Sequence, residues 1–270
     1  MQLHHVTHPT SSSTVDFTSV TETSGADVSC EQIVRLAQRY YWAGEYCRGQ
    51  DVLEVACGAG QGLGYLSSLA RSLRAGDITP ALVNEARTHY GGRIEISEMD
   101  ATALPFPAQS LNTIILFEAL YYLPSAERFV DECIRVLRPK GKVLIATANK
   151  DLYDFNPSPF SSTYYGVVGL GQLFETRGFF CDFFGNTPIE TVSLRQQILR
   201  PIKKVVINLG MMPKTMAGKK LLKRLVFGKL VPMPAEIDRS TAPKTTSVPL
   251  KRGEPNRDFK VIYMAATLQA

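Results

Sequence analysis

Along 51–147, short apolar runs alternate with amphipathic segments, a pattern that leaves a chain few ways to fold. The runs are DVLEVA at 51–56, then 74–78, 93–97, LNTIILF at 111–117 and GKVLIAT at 141–147. Such runs read as parallel strands buried on both faces. Helices are predicted between them at 62–73, 79–90 and 124–137. Thr79 and Pro80 supply an N-cap and a proline at the first helical position. Phe129, Val130, Cys133, Ile134 and Leu137 form one apolar stripe in the third of these helices. Ser29 caps a further helix ahead of the first strand. The alternation predicts an α/β fold, a doubly wound sheet with helices on both faces.

Beyond 149 the pattern loosens into a stretch rich in aromatics, with Tyr153, Phe155, Phe160, Tyr164 and Tyr165. This stretch reads equally as the wall of an acceptor pocket or as a small core under a long loop. A helix near 168–177 and strands at 179–184 and 259–267 follow. The segment 185–257 is much longer than an ordinary connection and is expected to be an inserted basic helical lid or partner surface. Its stretch 191–230 holds ten Lys and Arg and no acid, although the whole chain carries only a net +5. Leu194, Ile198, Ile202, Val205 and Leu209 fall on one helical face there, and Lys219, Lys220, Lys223 and Arg224 crowd a second predicted helix. A solvated face, attraction of an anionic acceptor and a weak membrane-surface contact all remain open for it. Without this block the acids are in excess, so nucleic acid is not an expected partner.

Residues 1–28 are rich in Ser and Thr and are expected to form a disordered tail, leaving 29–270 as one domain. His4, His5 and His8 lie in that tail, where no fixed geometry exists to hold a metal. The five cysteines include no Cys-x-x-Cys pair, which fits a reducing cytoplasm. No apolar run is long enough to span a bilayer.

Chemistry concentrates at the ends of the predicted strands. Glu54 closes the first, and Gly58 and Gly60 occupy the turn that follows, where backbone can approach a ligand closely. The dinucleotide spacing Gly-x-Gly-x-x-Gly fails, because the sixth position is Leu63 counted from Gly58 and Tyr65 counted from Gly60. An acid in the strand also suits a cationic ligand better than a pyrophosphate. Asp77 and Asp100 follow the second and third strands, so three carboxylates converge where open α/β sheets bind ligands.

The segments VLEVACGAGQG, GDIT, MDATALPF, SLNTIILFEALYYLP and RVLRPKGKVLIAT, in that order, resemble the class I S-adenosylmethionine-dependent methyltransferases. The resemblance runs over 39–184. It implies a Rossmann-like sheet of seven strands, mostly parallel, with the last strand at 259–267 antiparallel. It also implies S-adenosylmethionine as cofactor and methyl transfer to a small-molecule acceptor, for which the hydroxyl oxygen of a sugar or natural product is the first expectation. Methylation at carbon, a non-catalytic module binding the same cofactor and, more distantly, a nicotinamide dehydrogenase stay open. By the resemblance Glu54, Ala56, Gly58 and Gly60 would surround the methionine part of the cofactor. Asp77 would hold the ribose, Ile78 would lie against the adenine, and Asp100 with the Ala101 backbone would read its edge. Phe117 and Glu118 would sit beside the methionine end. Ala56 stands where the family usually has glycine. Many relatives carry a histidine shortly after the fourth strand, whereas this chain has Tyr121 and Tyr122. Glu118 and Tyr122 are therefore the catalytic candidates, with packing or cofactor contact as the alternative for each.

Overall fold

The computed structural model describes residues 16–153, 155–158, 160–189 and 230–269. In chain order these form a 3-10 turn (Phe17–Ser19), β1 (Asp27–Ser29), α1 (Cys30–Cys47), β2 (Asp51–Val55), α2 (Leu63–Ser67), β3 (Ser72–Asp77), α3 (Pro80–Tyr90), β4 (Glu95–Glu98) and β5 (Leu111–Phe117). A 3-10 turn (Leu120–Tyr122), α4 (Ala126–Val136), β6 (Leu137–Ala148), α5 (Val167–Glu175), β7 (Phe179–Pro188), β8 (Leu230–Pro232), β9 (Val248–Leu250) and β10 (Phe259–Leu268) complete the order.

One mixed sheet has the order β4-β3-β2-β5-β6-β10-β7-β9. The first five run parallel, and β10 inserts antiparallel between β6 and β7. The chain leaves β2 outward through β3 and β4, then returns to its other side with β5, so the topological switch lies between β2 and β5. Loops diverge there and open a crevice at the strands' carboxyl ends.

Alternation along each strand explains the two covered faces. Ile114 and Leu116 of β5 with Ile262, Met264 and Ala266 of β10 pack among residues of α4 and α5. Ile115, Phe117, Val261, Tyr263 and Ala265 face the other way, onto Leu36, Tyr40, Tyr41 and Trp42 of α1. The sheet is thus doubly wound, as the alternation of apolar runs requires.

Three differences from the sequence reading have physical reasons. The sheet has eight strands, not seven, because three residues of β9 pair with the outer edge of β7. Residues 16–28, assigned above to a disordered tail, are folded where they are described: β1 pairs antiparallel with β8, the Gly25 N–H donates to the Met233 carbonyl, and the Met233 N–H donates to the Ala26 carbonyl. The described part of the insertion, 230–257, supplies β8 and β9 and no helix. The basic block at 191–229, residues 1–15 and the three tail histidines lie outside the described residues. Among the described residues no helix is long and apolar enough to cross a membrane.

Candidate functional site

The crevice at the β2/β5 switch is a cavity of about 820 Å³, at the upper end of the range for small-ligand pockets. It runs along the carboxyl edge of the sheet, from Asp77 on β3 through Glu54 on β2 and Phe117 on β5 to Val261 and Tyr263 on β10.

Glu54 is 1% exposed, although strand β2 delivers it to the cavity wall. The Tyr40 hydroxyl donates to its Oε1 at 2.6 Å, and its Oε2 is buried without a hydrogen-bond partner. Burial raises the carboxyl to about 7, against the opposing influence of the Tyr40 hydrogen bond and the Arg39 charge. An unpaired buried carboxylate oxygen is costly, and a cationic donor from a ligand would satisfy it. Gly62 protects this arrangement, since a Cβ there would lie 2.0 Å from the Tyr40 ring.

The glycine turn is tied to the next strand by Asp77. Its Oδ2 accepts from the Gly58 N–H and its Oδ1 from the Thr79 N–H, each at 2.9 Å. Each oxygen keeps a second lone pair for a ligand hydroxyl. Ala56 opens the turn with φ of 56°, in the left-handed region that glycine occupies at little cost. Asp100 accepts from the Thr102 N–H and hydroxyl at 2.8 Å, which fixes the carboxylate beside the buried Ala101. Ile78, 41% exposed at the cavity wall, offers an apolar surface to a flat ring.

Glu54, Ala56, Gly58, Asp77, Ile78, Asp100, Ala101, Phe117, Glu118 and Tyr122 all line the one cavity. Gly60 does not. Its carbonyl accepts from the Tyr90 hydroxyl at 2.8 Å, and a Cβ there would press on Leu63, Ala86 and Tyr90. This glycine lets α3 pack closely on the turn, where the sequence reading placed it around the cofactor.

Both catalytic candidates are already engaged. Glu118, at a φ of 52°, accepts from the Tyr121 hydroxyl at 3.0 Å and pairs with Arg39 at 3.7 Å. Tyr122 shares a 2.6 Å hydrogen bond with the Ser158 hydroxyl. Of the aromatic stretch, Phe160 lines the cavity, while Tyr164 stacks on Tyr121 at 4.2 Å and contacts Phe155 at 4.7 Å. Tyr164 and Phe155 thus support the wall from behind, while Tyr153 is exposed. His89 pairs with Glu236 at 2.9 Å, outside the cavity.

Among the cavity residues that sequence reasoning missed are Arg35 and Arg39 on α1, and Tyr263 on β10. The signal was available for the arginines, since a charge recurring four residues on along an amphipathic helix marks a common face. It also missed the segment Phe17–Glu22, which roofs the cavity. Phe17 meets the Tyr122 ring at 5.3 Å, and the Glu22 carbonyl accepts from the Gln61 side chain at 2.6 Å.

Residues 53–145 match the family model for a methyltransferase domain. A probable S-adenosylmethionine-dependent methyltransferase of Mycolicibacterium smegmatis is 32% identical over 158 residues, covering 53% of this chain and 61% of that protein. A phthiotriol/phenolphthiotriol dimycocerosates methyltransferase of Mycobacterium ulcerans is 36% identical over 102 residues, 36% of each chain. The chain thus spans less than two thirds of these relatives. A putative methyltransferase of Haloferax volcanii, solved with its Trm112 activator, superposes with a TM-score of 0.57 at 12% identity, covering 89% of this chain and 94% of that one. This last likeness establishes the fold. With the glycine turn and its flanking acids inside the matched segment, residues 53–145 resemble a methyltransferase domain, and the chain is similar to S-adenosylmethionine-dependent methyltransferases.

Proposed function

We propose that this chain transfers the methyl group of S-adenosylmethionine to a small molecule, with the hydroxyl oxygen of a sugar or natural product as acceptor. The observation that carries the cofactor reading is the unpaired, buried Oε2 of Glu54 beside the glycine turn. A cofactor with an ammonium and a sulfonium suits that oxygen, and a pyrophosphate does not. Asp77 would hold the ribose hydroxyls, Ile78 would cover the adenine, and Asp100 would accept from its amino group. When bound, the cofactor supplies a methyl group already activated by the sulfonium.

The protein's part is then positioning. No histidine lines the cavity among the described residues, and Glu118 is held between Tyr121 and Arg39. We assign Glu118 and Tyr122 to orienting the acceptor hydroxyl, with its proton leaving late in the reaction to Glu118 or to water. The roof at Phe17–Glu22 excludes bulk water. Alignment of acceptor and donor in such a closed site can contribute on the order of 7–11 kcal/mol.

Calorimetric titration of the full chain with S-adenosylhomocysteine and with NAD tests the cofactor assignment. S-adenosylhomocysteine is expected to bind and NAD is not; the reverse outcome rejects the proposal. With an acceptor in hand, Glu118→Gln and Tyr122→Phe should lower turnover more than they weaken cofactor binding. Wild-type turnover in both would leave the two residues as packing only.

A further inference from the structure

The far end of the cavity differs chemically from the cofactor end. Arg35 and Arg39 lie one helical turn apart on α1, and both line the cavity together with Tyr263. The Nε of each arginine is buried without a hydrogen-bond partner. Among the described residues Arg35 has no ion pair and the Tyr263 hydroxyl no hydrogen bond. Trp42 of α1, three residues past Arg39, stacks on the Tyr263 ring at 4.9 Å, so α1 carries both arginines to this part of the cavity.

Of the acids nearby, Glu31 and Glu22 hold other groups, while Glu118 already pairs with Arg39 and leaves Arg35 without an acid among the described residues. Glu31 takes Lys260 at 2.8 Å, Glu22 takes the Gln32 side chain, and Glu118 takes the Tyr121 hydroxyl and Arg39. Position in the sheet sets Tyr263 apart from the cofactor end. Phe117 of β5 stands opposite Ala146 of β6, which stands opposite Tyr263 of β10. Tyr263 is therefore two strands beyond Phe117, roughly 10 Å at ordinary strand spacing.

We propose that Arg35, Arg39 and Tyr263 form a pocket for an oxyanion, a carboxylate or a phosphate, carried by the acceptor. The inference rests on the methyltransferase reading above and names a property of its substrate. A guanidinium presents paired N–H donors that match such a group, and a phenol adds a third direction. The aromatic wall of Phe17, Tyr121, Tyr122 and Phe160 would take the apolar remainder.

The test is calorimetry on the full chain saturated with S-adenosylhomocysteine, using 3-phenylpropionate, phenyl phosphate and the neutral 3-phenylpropanamide as probes. At least one of the two anions is expected to bind about tenfold or more tighter than the amide. The stronger of them identifies the oxyanion. Arg35→Gln and Tyr263→Phe should each erase most of that preference while S-adenosylhomocysteine affinity stays within about twofold. Equal binding of all three probes to the wild type overturns the proposal, whatever the variants do. So does an Arg35→Gln protein that loses cofactor affinity but keeps the anion preference, since Arg35 then serves the cofactor. Failure of S-adenosylhomocysteine to bind at all rejects the underlying methyltransferase reading and this inference with it.

Discussion

At Glu54 the cost of burial and the use of burial are the same fact. The folded carboxyl titrates near 7 against an ordinary 4.5, with desolvation as the dominant cause. A raised acid favours the folded state fully below about pH 4.5, and that contribution disappears as pH climbs through 7. A cationic ligand group beside Oε2 restores the charge, so binding below pH 7 releases a proton. Affinity for S-adenosylhomocysteine should therefore rise by up to about tenfold per pH unit below 7 and level off above it. Calorimetry in buffers of different ionisation enthalpy measures both the slope and the proton. Glu54→Gln should flatten the profile, weaken binding at pH 8 by about tenfold or more, and leave the ligand-free protein at least as stable. A second prediction concerns Ala56, held at a φ of 56°. Ala56→Gly relieves a left-handed alanine, which costs about 1 kcal/mol, and should raise Tm by roughly 2–4 °C in thermal denaturation. The strand-end acids were legible in the sequence because each stands where an apolar run stops. Gly60 was misread because spacing alone does not separate a glycine that admits a ligand from one that admits a helix.

Element by element, legibility followed burial. Strands β2, β5 and β6 are covered on both faces, so their composition alone marks them. Strands β1, β8 and β9 have three residues each, and pairing over long sequence separation creates them, which no local pattern encodes. The same distance hid Tyr263, brought against α1 only by the insertion of β10 next to β6. Helix α1 was legible from its start: the Ser29 hydroxyl accepts from the Gln32 N–H at 3.2 Å, and the Gln32 side chain accepts from the Ser29 N–H at 2.9 Å. This capping box anchors the helix that carries Arg35, Arg39 and Tyr40. Ser29→Ala should cost about 1 kcal/mol, read as a Tm lower by roughly 2–4 °C. An unchanged Tm would mean that packing on the sheet alone fixes the helix.

Across the whole molecule, two segments far apart in sequence, 16–29 and the stretch after β8, close over the site together. Residues 16–29 pass over the glycine turn and pair with β8, and the segment after β8 returns to the same helix and turn. There the Ile237 N–H donates to the Gln61 carbonyl at 2.8 Å, and the Tyr41 hydroxyl donates to the Asp238 carbonyl at 2.6 Å. Removing residues 1–22 should therefore speed S-adenosylhomocysteine dissociation by about tenfold or more while changing Tm little, as stopped-flow displacement would show. An unaltered dissociation rate would make the roof a passive cover. The chain also supplies its own reporter for such measurements. Its single tryptophan, Trp42, is 5% exposed, stacks on Tyr263 at 4.9 Å and lies 6.4 Å from Phe117. One indole thus touches the ring at the anion corner and borders the ring at the cofactor end. Its emission, blue-shifted by burial, should change in intensity as either half fills, giving the two events separate optical signatures without any added dye.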